Sequence, residues 1–325
     1  MKDVSIIGGG PIGMYACVYA SIRELSVNLI ESMPTLGGQP AALYGEKIIG
    51  DLPGYSKIEA NEFIDNLNQQ IELNRKDLVD IYTNQEIVKV ERVEDYFRIT
   101  SNTNNVYESR TILITAGSGV FKPRPIGIDK EEQFDNILYS VSNLSMFDNK
   151  EVTILGGGDS ALDWALMLDD RDVKVNIVHR RDEYRAKEDS IAKLDKSNVK
   201  QYMSYLVEDL EGSNDKLEKV VIKHKEAEEV IKLEQDYLLV NYGNITKVSD
   251  FGGLDLEKYP QGYITNRVFE TSLDGIYACG NAIHYEGRPK LIAIGLGEVP
   301  VVINNIKGFI DPTSKNKIFY STMQQ

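Results

Sequence analysis

Cysteine is nearly absent: the 325-residue chain holds Cys17 and Cys279, far apart and with no C-x-x-C spacing. That excludes a disulfide framework and a thiolate metal site. Histidine is as sparse, and His179, His224 and His284 are too scattered to form a metal constellation. Positive charge is outnumbered, 36 Lys and Arg against 50 Asp and Glu, for a net charge of −14. Nucleic-acid phosphates would be repelled rather than collected. No apolar run approaches the roughly 20 residues that a membrane span needs. The chain enters a strand-like run almost at once, which leaves no room for a signal or transit segment. The expectation is a soluble, cytoplasmic protein with neither nucleic acid nor membrane as partner.

What the chain does have is glycine in two special places. The first run is Ile7-Gly8-Gly9-Gly10-Pro11-Ile12-Gly13; the second, about 150 residues later, is Leu155-Gly156-Gly157-Gly158-Asp159-Ser160-Ala161. Each follows an apolar, β-like run (Val4 to Ile7; Val152 to Leu155) and leads into a helical pattern. One such loop is a weak signal. Two in strand–turn–helix context imply two dinucleotides held by one chain, and hence electron or hydride traffic between them.

Length permits two domains, and 42% apolar residues can fill two cores. Residues 3–31 read as strand, glycine turn, helix and strand. Apolar positions Phe63, Ile64, Leu67 and Ile71 predict a helix. Alternating runs follow at Ile87–Val93 and Tyr96–Thr100, then a buried strand at Thr111–Thr115. Residues 151–181 repeat the opening order, ending in strand Val173–Val178. A β-rich stretch covers Val220–Lys223 and Tyr237–Asn241, and the last third holds Ile276–Ala278 and a helix near Glu298–Phe309. The pattern predicts a domain inserted within a domain, residues 1–116 with 246–325 enclosing 117–245. Gly117 and Gly243 stand at the crossovers, where a hinge needs permissive dihedrals.

In the first loop, Gly8 permits a tight turn, Gly10 lets backbone approach a pyrophosphate, and Gly13 lets the helix pack closely. Pro11 belongs to the same dinucleotide site, and the helix N-terminus supplies N–H groups and partial positive charge to an anion. Glu31 lies at the end of the second strand, where a carboxylate can accept from both ribose hydroxyls. The competing reading is a glycine turn that merely joins strand to helix. In the second unit the strand ends instead on His179-Arg180-Arg181, with Arg185 beyond. Guanidinium groups bind a 2′-phosphate as bidentate forks, where a carboxylate would repel it. Ser160 and the loop N–H groups of Gly156, Gly158 and Asp159 would hold the pyrophosphate, so this domain should take NADP(H). The competing reading is a solvated charged face. A nicotinamide hydride then needs an acceptor, and FAD is the economical occupant of the outer domain, since no catalytic acid, base or metal cluster is apparent.

Taken together, Gly8–Gly13, Leu36-Gly37-Gly38-Gln39, Leu43-Tyr44, Leu52-Pro53-Gly54-Tyr55, Thr115-Ala116-Gly117, Gly156–Ala161, His179–Ala186, Ala278–Asn281 and Gly295–Val302 resemble the pyridine-nucleotide disulfide oxidoreductase superfamily nearly end to end. Within it the chain resembles the thioredoxin-reductase-like ferredoxin–NADP+ reductases. Where a thioredoxin reductase carries its C-x-x-C, this chain reads Tyr139-Ser140-Val141-Ser142, so no dithiol relay can run. The tail Ile318-Phe319-Tyr320-Ser321-Thr322 matches the extension that covers the flavin, often the partner subunit's. The implied fold is α/β: two Rossmann-like, three-layer ββα nucleotide-binding domains, the NADPH domain inserted in the FAD domain. The implied FAD contacts are Glu31 on the ribose, Gln39 and Tyr44 at the isoalloxazine, Ile87 beside the adenine, Phe121 near the ring, Asn281 at the ribityl chain, and Thr322 in the tail. Tyr44 and Tyr320 could stack on opposite faces of the ring. The family has Gly-Asp where this chain has Gly280-Asn281, which keeps an acceptor oxygen but removes the charge.

The implied activity is a homodimeric ferredoxin–NADP+ reductase. It passes hydride from NADPH to flavin N5, then single electrons to ferredoxin or flavodoxin, with no side chain acting as acid or base. Ferredoxins are themselves acidic, so net charge does not favour that partner, though Lys122, Arg124 and Arg180–Arg185 could form a local basic patch. Two other readings stay open: an NADPH diaphorase with another acceptor, and a non-catalytic FAD/NADP redox sensor.

Overall fold

The computed structural model describes residues 1–74, 76–117, 119, 121–141, 143–246 and 252–314, with the side chains of residues 43, 44, 76, 121, 122 and 244–246 outside the description. The chain forms two compact units, Met1–Val120 with Thr246–Gln325 and, between them, Phe121–Ile245.

In the first unit, β1 (Lys2–Ile7), α1 (Pro11–Ile22) and β2 (Val27–Ile30) follow one another directly. They are succeeded by α2 (Gly38–Tyr44), α3 (Ala60–Leu73), β3 (Val79–Tyr82), β4 (Ile87–Val93), β5 (Tyr96–Ser101) and β6 (Val106–Ile114). β1 lies between β2 and β6, parallel to both, and β3 continues the sheet beyond β2. Antiparallel β4 and β5 extend from the first half of β6. Alternation along the parallel strands fills both faces. Val4, Ile6, Val27, Leu29 and Leu113 pack with α1 and α3, while Ile7, Ile30, Ile112 and Ile114 join Val90, Phe97 and Ile99 on the other side. The result is helix, parallel sheet and antiparallel ribbon in three layers. The apolar spacing seen in α3 is its buried face: Phe63, Ile64, Leu67 and Ile71.

The second unit repeats the plan. It contains β7 (Ile137–Leu138), β8 (Glu151–Leu155), α4 (Asp159–Asp169), β9 (Lys174–His179), α5 (Glu188–Leu194) and β10 (Lys200–Met203). There follow β11 (Tyr205–Ser213), β12 (Lys216–His224), β13 (Val230–Glu234) and β14 (Tyr237–Val240). The parallel sheet runs β7-β14-β8-β9-β10, and β11–β13 form a separate antiparallel sheet. Val152, Ile154, Val175 and Ile177 face α4; Leu155, Val178, Leu238 and Val240 face Leu210, Val220 and Ile222. The expected strand at 220–223 is thus the centre of a longer hairpin layer.

The chain closes the first unit with β15 (Ile276–Ala278), parallel to the second half of β6, and α6 (Ile292–Ile310). α6 starts six residues before the expected Glu298. Gly295, Gly297 and Pro300 disguise its first turns, because all three are poor helix formers. Burial of Val299, Val302, Ile303 and Ile306 in the core shared with α1 overrides that propensity. Among the described helices α6 is long and apolar enough, by length and composition alone, to cross a membrane, which corrects the expectation that no run comes close. Its buried face carries Glu298.

Candidate functional site

Each glycine turn sits at the carboxyl end of a central parallel strand. Gly8 follows β1 with φ +111° and donates its N–H to Ile30 O at 2.8 Å. Gly10, in extended backbone, caps α1 with no side-chain cap, Pro11 fills the first helical position, and the first turn has no acid. A Cβ on Gly10 would meet only Gly38 Cα, at 3.8 Å, so the turn is open there. A Cβ on Gly13 would collide with Gly8 O. The turn is thus open at Gly10, as approach of a pyrophosphate would require, and closely packed at Gly13. An uncapped helix N-terminus behind an open glycine is a cradle for a phosphate.

Glu31, buried at the end of β2, already holds this turn together. Its Oε2 accepts from Gly9 N–H at 2.6 Å, and its Oε1 from Met33 N–H at 2.8 Å and Ser32 Oγ at 3.1 Å. A carboxylate offers about four acceptor sites, so capacity remains for a hydroxyl. Gly37 N–H donates to Gly9 O at 2.8 Å, and Gly38 lies against Gly10. That contact sets the start of α2, with Gln39 in its first turn and Tyr44 at its end. Ile87 opens β4 and is partly buried against the core on the far face of the sheet. Phe121 opens a short strand, Phe121–Pro123. The side chains of Tyr44 and Phe121, and all of Tyr320 and Thr322, lie outside the described residues.

Asn281 arrives from the distant end of the chain. It lies in a 3-10 turn, Gly280–Ala282, and a Cβ on Gly280 or Gly295 would press on Ile12 of α1. Its Oδ1 accepts from Arg288 Nη1 at 3.2 Å. Arg288 is in turn paired with Glu298, Nε to Oε1 at 2.8 Å and Nη2 to Oε2 at 3.1 Å, with side chains 2% and 5% exposed. Glu298 Oε2 also accepts from Gly280 N–H at 2.7 Å. This cluster escaped the sequence analysis; its signal was a lone acid on the apolar stripe of a helix.

The second turn matches the first. Gly156 has φ +152°, Gly158 caps α4 without a side-chain cap, and a Cβ on Gly158 would meet only Arg185 O at 3.8 Å. Asp159 Oδ1 accepts from Lys187 N–H at 2.9 Å, and Arg185 N–H donates to Gly157 O at 2.7 Å. These bonds lay the 180–187 loop along the turn, beside Ser160. A Cβ on Gly157 would strike the imidazole of His179. That ring stacks on Tyr184 at 5.6 Å, and Nε2 lies 3.1 Å from Glu183 O. Burial lowers the His179 pKa; Glu183 O opposes this, while Arg181, Arg180 and Arg185 reinforce it. The imidazole is therefore neutral, with Nε2–H donating to Glu183 O. Arg180 and Arg185 are exposed and Arg181 half-buried; none makes a guanidinium hydrogen bond or ion pair with another described residue. The three cations remain available to an anion at this strand end. The two thiols do not: Cys17 and Cys279 are free and buried, and burial raises both pKa values.

The family model described as pyridine nucleotide-disulphide oxidoreductase matches residues 2–298. The chain belongs to that family. Within the pyridine nucleotide-disulphide oxidoreductases, it is 43% identical to ferredoxin–NADP reductase 2 of Oceanobacillus iheyensis, over 98% of this chain and 97% of that one. A ferredoxin–NADP reductase of Geobacillus thermodenitrificans is 40% identical, over 98% and 96%. Among solved structures, the thioredoxin reductase of Lactococcus lactis superposes with a TM-score of 0.78 at 26% identity, covering 95% of this chain and 99% of that one. The resemblance read from the motifs holds, and with it the α/β architecture of this oxidoreductase family. Membership makes the chain a flavoprotein oxidoreductase that works with FAD and NADP(H).

Proposed function

We propose that this chain is a ferredoxin–NADP+ reductase, with an FAD domain of residues 1–116 and 246–325, built on the first unit, and an NADP(H) domain of residues 117–245, built on the second. The observation that carries the reading is the contrast between equivalent strand ends: Glu31 closes β2 beside the first glycine turn, while His179, Arg180 and Arg181 close β9 beside the second. An acid there selects ribose hydroxyls and guanidinium groups select a 2′-phosphate. Bound FAD supplies a two-electron acceptor for the hydride of NADPH and a one-electron donor to a protein carrier.

The chain's own residues bind and orient. Gly8, Gly10, Pro11 and Gly13 shape the cradle for the FAD pyrophosphate, Glu31 takes the ribose, and Asn281 faces the ribityl chain with its Oδ1 held by Arg288. Gln39, Tyr44, Ile87, Phe121, Tyr320 and Thr322 complete the flavin contacts that the family resemblance assigns. Gly156, Gly158, Ser160 and the N-terminus of α4 take the NADP(H) pyrophosphate, Asp159 braces the basic loop, and Arg180, Arg181 and Arg185 fork the 2′-phosphate. No side chain moves a proton; positioning does the work. The relatives' names support ferredoxin as acceptor, with flavodoxin an equivalent carrier, and the enzyme works as a cytoplasmic homodimer in this reading.

The test is NADPH-driven cytochrome c reduction with and without added ferredoxin. Strong dependence on ferredoxin is expected. Equal rates would favour a diaphorase with a different acceptor, a second reading that the net charge of −14 supports. Arg180→Ala with Arg181→Ala should raise KM for NADPH at least tenfold and leave KM for NADH nearly unchanged, since each charge-assisted hydrogen bond contributes about 1.5–3 kcal/mol. Equal losses for both cofactors would refute the phosphate fork.

A further inference from the structure

In each parallel sheet the strand order reverses beside the strand that leads into the glycine turn. β2 lies on one side of β1 and β6 on the other; β9 lies on one side of β8 and β14 on the other. Open α/β sheets take ligands in the crevice at the carboxyl ends of the strands flanking that reversal. In the first unit this point falls between Gly8 and Thr115, and in the second between Gly156 and Asn241. The register makes the pairs equivalent, Ile7 opposite Ile114 and Leu155 opposite Val240. The same backbone bond follows in each: Thr115 N–H to Ile7 O at 2.9 Å, Asn241 N–H to Leu155 O at 2.7 Å.

The two side chains differ in what they do. Thr115 Oγ1 donates to Gly8 O at 2.8 Å and closes onto its turn. Asn241 also lies against its turn, because a Cβ on Gly156 would meet Asn241 O at 2.6 Å. Yet Asn241 Nδ2 is buried and has no hydrogen-bond partner among the described residues. A buried donor without an acceptor carries a desolvation penalty, and a protein tolerates it where a ligand supplies the acceptor.

We propose that Asn241 is a further NADP(H)-binding residue, its Nδ2–H donating to an oxygen of the dinucleotide's ribose–phosphate backbone at the switch point of the second unit. The inference rests on the placement of NADP(H) on that unit. An amide suits the task chemically. It offers a donor without adding negative charge beside the phosphates, whereas a hydroxyl there could fold back onto the turn as Thr115 does.

The experiment titrates NADP+ into the FAD-loaded enzyme by calorimetry and measures thermal unfolding without NADP+, for wild type, Asn241→Leu, Asn241→Asp and Arg180→Ala. Asn241→Leu should bind NADP+ roughly tenfold more weakly, the loss of one hydrogen bond to a charged acceptor, with Tm unchanged or raised. Asn241→Asp should bind more weakly still, because its carboxylate faces phosphates. Should leucine prove too bulky to fold, Asn241→Ala carries the same expectation. Affinity within twofold of wild type overturns the inference, whether Tm falls or holds; a falling Tm would show that Nδ2 serves the fold. If Asn241→Leu binds like wild type while Arg180→Ala binds weakly, the inference fails alone. If wild type shows no NADP+ binding, the placement on this unit fails and takes the inference with it.

Discussion

The buried pair of Arg288 and Glu298 allows a stability prediction worked from geometry. Glu298→Leu would leave the Arg288 guanidinium, 2% exposed, without a counter-charge, and would leave Gly280 N–H without its 2.7 Å acceptor. Breaking one partner of a buried ion pair costs about 3–5 kcal/mol. At about 2–4 °C per kcal/mol for a unit of this size, Tm should fall by about 6–20 °C. Arg288→Met combined with Glu298→Leu removes both charges and replaces them with apolar volume, which is often close to neutral. The double variant should recover part of the loss, short by about 1–3 kcal/mol for the orphaned Gly280 N–H. Circular dichroism during thermal unfolding of the four proteins, saturated with FAD, gives the complete cycle. The reasoning is refuted if Glu298→Leu alone moves Tm by less than about 2 °C, or if the double variant is no more stable than the single ones.

Gly10 and Gly13 of the first turn should separate binding from folding. Gly10→Ala has room for its methyl and should keep Tm while weakening FAD, whereas Gly13→Ala collides with Gly8 O and should lower Tm as well; equal Tm losses would contradict the assigned roles. His179 is buried with its pKa lowered from 6.5, so the unfolded chain takes up its proton first. Its contribution to stability is complete above pH 6.5 and declines as pH falls toward the lower folded value. His179→Gln should therefore have a shallower loss of stability between pH 7.5 and 5 than wild type, and parallel curves would count against a neutral imidazole. Burial keeps both thiols protonated, so Cys17 and Cys279 should not react with a thiol reagent until the protein unfolds; native labelling would show that either site opens.

The glycine turns, the strands before them and the amphipathic α3 were legible because each is a local rule. A strand–turn–helix needs particular residues within a dozen positions, and the apolar stripe of α3 repeats every turn. The acidic and basic strand ends were legible for the same reason, each lying a fixed distance past its turn. The length of α6 was not, since its glycines and Pro300 argue locally against a helix and burial against α1 outweighs them. Nor was the grip of Arg288 and Glu298 on Asn281, nor the contact of Gly38 with Gly10, because these residues meet only when distant segments pack. Local residue pattern was thus enough for the type of protein and for the acidic or basic character of each strand end. Only packing shows which long-range neighbours brace those ends, and that the Asn241 donor is buried with no partner among the described residues. Close packing is a property of segments far apart in the chain, and no short window of residues encodes it.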